Sequence, residues 1–360
     1  MPHSDDRPVI LLGEGARGAD LTKLFGLGMP IISSWQACDL IDNLHPLYFG
    51  RPGVYGQRCA NKILYNADTV ISIGCRMSVF TVGHTGLRPE QRLVMVDIDP
   101  AELDRFPNAK RRHMTVARFL ERLDPEERPR PQWLKQCRVW REMYPYFDAS
   151  HKSGEMLNAY DVVHELEPLL PPDATIVTDM GVALCAAFQV LRLRPGQRLM
   201  TSGGLGEMGC GLPAAIGASF ARDKGEVICL HCDGGMSMNV QELQTIVHHQ
   251  LPIKIIVFEN DAYRMIRSTQ ENLRMEYSGV NDATGVSCPD YVRVASAYRI
   301  QAHEVWRRDD LVRALELLLA SDGPAMLVVH TDPEQAFSPK LQPILEDGKI
   351  RSPTFEELSP

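Results

Sequence analysis

The chain has 360 residues, too many for one ordinary core, so two domains of roughly 100 to 200 residues are expected. A composition of 44% hydrophobic and 23% charged residues, with 27 Gly and 25 Pro, is that of a turn-rich globular protein and excludes disordered and fibrous classes. The net charge of −8 with no long basic run speaks against nucleic acid, and the polar start Met1–Pro8 with no apolar run of about 18 residues speaks against a signal peptide or membrane span, so the cytoplasm is expected.

The first segment alternates strands and helices. Val9–Leu12 reads as an apolar strand, Ala19–Phe25 as a helix, and Ile31–Ser34, Thr69–Ile73 and Leu93–Ile98 as further buried parallel strands. This predicts a Rossmann-like, doubly wound domain over residues 1–123. The charged, proline-bearing stretch Asp124–Pro131 opens a connection spanning 124–155, with a helix over Trp133–Met143. A second α/β domain is expected over 156–332, with the helix Ala159–Leu166 and strands Thr175–Thr178, Val227–Leu230, Ile253–Phe258 and Ala325–Val329. Residues 333–360 form a tail rich in Pro and charge. The nine cysteines are odd in number and scattered, as reduced buried thiols are; Cys229 and Cys232 lack the second pair that a zinc site needs.

The stretch Glu226–Ile266 carries the chemistry. An apolar strand ends in Asp233, Gly234 and Gly235 let a ligand approach the backbone, and a helix from about Asn239 to His249 presents Val240, Leu243, Ile246 and Val247 on one face. A second strand delivers Asn260 just past its end. A right-handed crossover between parallel strands places Asp233 and Asn260 together at the carboxyl edge of one sheet, where open α/β folds bind ligands. A carboxylate and an amide oxygen are hard donors suited to Mg²⁺, which fills its remaining positions with water and phosphate oxygens. The glycine turn at a helix start adds N–H donors for the same phosphates, so a bound diphosphate is the expectation.

These residues resemble the thiamine-diphosphate enzymes, which carry Gly-Asp-Gly, some two dozen residues, then Asn-Asn; here Cys232-Asp233-Gly234 and Glu259-Asn260 stand at that spacing. Ser202–Ala218, SGGLGEMGCGLPAAIGA, is very similar to the acetolactate-synthase segment that lies against the cofactor rings, and Asn239–Leu243 follows that family's wording. Arg7–Gly18, His45–Gly50, Gly53–Asn61 and Asp97–Pro100 resemble the central domain of the same family, so the likeness runs from about Arg7 to Pro333. The resemblance implies thiamine diphosphate held through Mg²⁺ by Asp233, Asn260 and the carbonyl of Ala262, with Gly181, Gly234 and Gly235 near the diphosphate. It implies that the Gly206 carbonyl accepts from the exocyclic amine and that Met208 enforces the bent cofactor. Tyr263 and Met265 are placed beside them in the cofactor cleft, and Glu207, between Gly206 and Met208, is a candidate catalytic carboxylate. Arg76–Phe80 departs from the charged segment of FAD-bearing synthases, so flavin is not expected.

The implied reaction is decarboxylation of a pyruvate-like 2-oxo acid and transfer of the acyl carbanion equivalent to a carbonyl acceptor. What the likeness lacks is the family's pyrimidine-binding domain and its glutamate. The expectation is therefore a split enzyme: this chain carries the diphosphate site, a separately encoded domain of roughly 170 residues supplies the glutamate, and two or more copies of each assemble. Three alternatives stay open: a 2-oxo acid decarboxylase of the same cofactor class, a non-catalytic regulatory relative, and a nicotinamide-dependent oxidoreductase. The last rests on Gly13-Glu14-Gly15-Ala16-Arg17-Gly18, but the next strand ends Ile32-Ser33-Ser34-Trp35 without the acidic residue that grips a ribose, so a close-packed turn is the better use of those glycines.

Overall fold

A computed structural model describes residues 7–123, 130–341, 344–346 and 349–355. Most of the charged stretch opening the expected connection, 124–129, lies outside the described residues, as do 1–6 and 356–360. The chain divides into two compact units: Met1–Tyr146 with Leu193–Pro195 and Pro339–Pro360, and Phe147–Arg192 with Gly196–Ser338. Each is an α/β domain on an all-parallel sheet.

In the first unit β1 (Pro8–Leu12), β2 (Ile31–Ser33), β3 (Thr69–Ile73), β4 (Arg92–Asp97) and β5 (Lys110–His113) are ordered β2-β1-β3-β4-β5. β1 and β3 are buried along their whole length, as central strands of a sheet covered on both faces are. Alternate residues go to opposite sides: Val9, Leu11 and Val70 join one core, Ile10, Leu12, Ile71 and Ile73 the other. The helices Arg58–Asn66 and Pro131–Met143 cover the first side, where Trp133 also donates through Nε1 to the Pro8 carbonyl at 2.9 Å. From the tail, Leu341 and Phe355 are buried in that same core. The expected helix Ala19–Phe25 is only Thr22–Phe25, because the chain around Gly18 takes a positive φ of 79° and leaves helical space.

The glycines of the Gly13–Gly18 stretch serve packing between loops. A Cβ on Gly13 would lie 2.1 Å from both the Cys75 Cα and the Gly74 carbonyl oxygen, and one on Gly15 would lie 3.0 Å from Gly74. The Gly15 N–H is bonded to the Gly74 carbonyl at 2.9 Å, so the turn is closed by backbone. Arg17 reaches over it to Glu14 and Asp39 at 2.6 and 2.7 Å.

In the second unit β6 (Thr175–Thr178), β7 (Arg198–Met200), β8 (Val227–Cys232), β9 (Ile253–Glu259), β10 (Gln301–Val305) and β11 (Ala325–His330) are ordered β10-β11-β9-β8-β6-β7. The chain runs outward from β6 to β7, then returns to the opposite side of β6 for β8 and β9. Connections at the carboxyl ends of β6 and β8 therefore diverge, and the crevice between them is the ligand position of an open α/β sheet. No helix among the described residues is long and apolar enough to cross a membrane.

Candidate functional site

β8 and β9 are parallel neighbours in register, Cys232 opposite Phe258, which brings Asp233 and the Asn260–Ala262 loop side by side. The Asp233 carboxylate is fully buried and takes its hydrogen bonds from main chain alone. Oδ2 accepts from the Asn260 and Ala262 N–H groups at 2.8 and 2.9 Å, and Oδ1 from Gly234 N–H at 2.7 Å. Burial pushes its pKa up to about 7, against the pull of those three donors. A buried carboxylate so raised gains most from a cation placed against it.

Asn260 supplies the complementary observation. Its Oδ1 is buried with no hydrogen-bond partner among the described residues, a costly state for an amide oxygen unless something outside the protein's own donors satisfies it. Asp261 and Ala262 both hold positive φ, 63° and 78°, unusual for non-glycine residues and the kind of strain found at ligand-binding turns. The residues therefore fit a hard divalent cation: one buried carboxylate, one orphaned amide oxygen, and a strained loop ending at the Ala262 carbonyl.

Beside this pair lies a cavity of about 220 Å³. Its walls include Gly181, Gly206, Met208, Gly234 and Gly235, and opposite them Asn260, Ala262, Tyr263 and Met265. Of the residues singled out in the sequence, only Asp233, behind the wall, and Glu207 are not part of its surface. Glu207 is exposed, and its carboxylate is engaged by the Ser202 hydroxyl and its own backbone N–H, which hold its pKa below the usual range. In this arrangement it does not face the cavity. Met180, Val182, Cys232, Arg264 and Ile266 complete the lining and were not singled out. All five adjoin residues that were.

The turn after β8 is tighter than expected. A single helical turn, Asp233–Met236, starts at the aspartate itself; Val240–Glu242 is a 3-10 turn, and the longer helix begins only at Leu243. The glycines thus sit inside a short turn ahead of that helix, and the Gly234 N–H is already used by Asp233. Cys232, standing where the family motif has glycine, is in extended backbone with φ −110°, so no glycine is required there. Gly206 does require one, with φ 69°, as does Gly181, with φ 103°. Asn239 ties the Gly206–Gly209 segment to the turn by donating to the Gly209 carbonyl at 2.7 Å.

Two supports were invisible in the sequence. The Tyr291 hydroxyl donates to the Asp233 carbonyl and also meets Ser237 Oγ at 2.8 Å. Asp179, fully buried at the end of β6, accepts from Gly211 N–H at 3.1 Å and lies 3.5 Å from His231 Nδ1. Its second oxygen sits directly beneath Gly235. Burial lowers the His231 pKa, against the opposing pull of the neighbouring Asp179 carboxylate.

Glu259, beside Asn260, turns to His330, which also meets Glu304 at 3.1 Å and stacks on Trp306 at 3.3 Å between centroids. Burial opposes the imidazolium, but the two carboxylates outweigh it and raise the His330 pKa above 6.5. A raised histidine contributes stability that is complete below its unfolded pKa and lost as pH rises through the folded value. The thermal midpoint of the wild type is expected to fall more between about pH 6 and 8 than that of His330→Gln, as a pH series of melting curves on both proteins checks.

Comparison with known proteins agrees with the geometry. Residues 179–329 match the model of the thiamine pyrophosphate enzyme C-terminal TPP binding domain, and residues 3–123 that of the central domain. The chain is 31% identical over 365 residues to the acetolactate synthase isozyme 2 large subunit of Escherichia coli K12, covering 98% of this chain and 64% of that protein. Against the isozyme 1 large subunit of the same organism it is 31% identical over 355 residues, covering 95% and 62%. Against the probable acetolactate synthase large subunit of Methanocaldococcus jannaschii it is 29% identical over 379 residues, covering 98% and 64%. The chain thus spans somewhat under two thirds of the length of these relatives. It belongs to the thiamine pyrophosphate enzyme family, as an acetolactate-synthase-like chain with that family's central and C-terminal cofactor-binding domains.

Proposed function

We propose that this chain is the cofactor-binding subunit of a split, cytoplasmic acetolactate-synthase-like enzyme that decarboxylates a pyruvate-like 2-oxo acid and joins the resulting acyl unit to a carbonyl acceptor. The observation that carries the reading is the orphaned, buried Oδ1 of Asn260 beside the fully buried Asp233, at the wall of a cavity that also holds Gly206 and Met208. Asp233, Asn260 and the Ala262 carbonyl would hold Mg²⁺. Thiamine diphosphate, when bound, would supply the nucleophilic carbon and the electron sink that decarboxylation of a 2-oxo acid needs.

The chain's own residues position and exclude. Gly181, Gly234 and Gly235 would keep side chains out of a diphosphate's way, while Met208, Tyr263 and Met265 line the cavity and would orient the cofactor's rings. The Gly206 carbonyl would accept a hydrogen bond from the pyrimidine amine. None of the described residues lining the cavity carries a carboxyl group. The glutamate that protonates the pyrimidine ring therefore comes, in this reading, from a pyrimidine-binding domain on a separate chain, with two or more copies of each.

This chain alone is expected to turn over pyruvate negligibly and to gain at least about a hundredfold in rate when mixed with that second chain, a gain on the scale of general acid–base catalysis. Pyruvate consumption with product analysis, on preparations checked by mass spectrometry, reads the result. Robust turnover by the lone chain overturns the split reading; acetaldehyde as the sole product replaces carboligation with simple decarboxylation.

A further inference from the structure

The nine-residue helix Val182–Val190 brings its amino end to the cofactor cavity: Gly181, its cap, and Val182, its first residue, both line the wall. The first N–H groups of a helix find no acceptor within it, and Gly181 has no side chain to offer them one. The same cavity is lined by Asn260, whose buried Oδ1 has no partner among the described residues, so an external ligand is called for on that side as well. A helix end in such a place is where a phosphate group would ordinarily sit.

A thiol sits there instead. Cys232, at the end of β8 and itself part of the lining, is buried, and its Sγ accepts from the Ala183 N–H at 3.4 Å. The Val182 N–H turns to the same sulfur. Sγ also stands over Gly181, where a Cβ would lie 2.8 Å from it. Burial pushes the thiol's pKa well above its ordinary value, against the pull of those two donors. The N–H groups are therefore spent on a neutral sulfur, a weak acceptor, where an anion would be a strong one. Nothing in the backbone demands this, because Cys232 is extended and its position accepts glycine as readily as cysteine.

We propose that Cys232 is a specificity-determining residue of the cofactor site: its thiol caps the helix Val182–Val190 and bars a diphosphate from that helix end, leaving the anion to the metal ion and the turn after β8. The inference rests on the reading that the cavity takes Mg²⁺ with thiamine diphosphate. It adds that anion binding in this chain depends on the cation more than the cavity's architecture requires, since the one cation-independent anchor is occupied from within.

Calorimetric titration of the whole chain with inorganic pyrophosphate, in Mg²⁺ and in EDTA, tests this. The wild type should bind in Mg²⁺ and lose at least about tenfold in affinity in EDTA. Cys232→Gly removes the acceptor and opens the helix end, so in EDTA it should bind pyrophosphate at least about tenfold more tightly than the wild type, the scale of a charge-assisted hydrogen bond. Cys232→Ala should gain in the same direction, and Cys232→Ser, which keeps an acceptor for the Ala183 N–H, should stay within about threefold of the wild type. A thiol that served packing alone would give variants with lower affinity and a lower melting midpoint, never a higher affinity. Folded Cys232→Gly and Cys232→Ala proteins without the gain overturn the proposal. A Cys232→Ser protein that gains as much as Cys232→Gly also overturns it, by showing that room rather than the N–H groups was limiting. If the wild type binds neither magnesium pyrophosphate nor magnesium thiamine diphosphate, the proposed function falls; if it binds both and the substitutions change nothing, only the role of the thiol falls.

Discussion

Asp233→Ala is expected to abolish the rise in thermal midpoint that Mg²⁺ and thiamine diphosphate together produce in the wild type, alone or assembled. A ligand that binds only the native state at a hundred times its Kd stabilises it by about 2.7 kcal/mol, so the effect lost is large enough to read directly. The variant removes the anionic oxygens and leaves the Asn260 and Ala262 N–H groups without their acceptor. Asp233→Asn separates these losses, because an amide oxygen can still accept from the loop while the charge is gone.

The same residue sets a pH dependence. With its pKa raised to about 7 in the folded protein, the carboxylate is protonated at low pH and must lose that proton to bind the cation. Mg²⁺ affinity should rise about tenfold from pH 6 to pH 8 and level off above, with close to one proton released per ion at the acid end. In the metal-free protein the sign is opposite for stability. A carboxyl group raised above its unfolded pKa of 3.8 costs nothing while both states are protonated, and its burial is increasingly destabilising from about pH 4 to 7. Calorimetric titration in two buffers of different ionisation enthalpy measures the proton release; a flat Mg²⁺ affinity across this range would remove Asp233 from the ligand set.

Gly235→Ala is expected to be the most damaging single-methyl change in the second unit. Its Cβ would lie 2.0 Å from Asp179 Oδ2 and 3.1 Å from the His231 ring. Neither can retreat: Asp179 and His231 are fully buried, and Asp179 holds the Gly211 N–H with its other oxygen. The turn must therefore lift into the cavity, at a cost of about 1–3 kcal/mol in stability, with cofactor affinity reduced at least about tenfold by a displaced diphosphate cradle. Gly204→Ala is the control, since nothing lies within 4 Å of its Cβ. Its midpoint should move by less than about 0.5 kcal/mol equivalent. Adding Asp179→Ala to Gly235→Ala opens the space beneath the turn, so the double variant should be less destabilised than the sum of the singles. Strict additivity would show that the two residues do not press on each other.

The sequence by itself determined the fold class and pointed to Asp233 and Asn260, which the paired strands bring side by side. β1, β3, β6, β8, β9 and β11 are predominantly apolar and almost wholly buried because strands in the middle of a two-sided parallel sheet meet side chains on both faces. Asp233 and Asn260 stand at strand ends where side-chain chemistry is released from packing, so their polarity was legible too. Two edge strands were not: Lys-Arg-Arg-His in β5 and Gln-Ala-His-Glu-Val in β10 largely face solvent and carry no apolar signature, whereas the buried edge strand β2 was legible. Nor could spacing tell that Gly13 and Gly15 serve the Gly74 loop, that Glu207 bonds Ser202 outside the cavity, or that Asp179, His231 and Tyr291 hold up the turn at Asp233. Apart from Glu207 and Ser202, which share one loop, those pairings join residues up to 61 positions apart, Gly13 with Gly74, and arise only when the sheet brings their strands together. Local sequence reports what one residue needs from its surroundings; which residue meets that need is decided by the tertiary crossing of the chain.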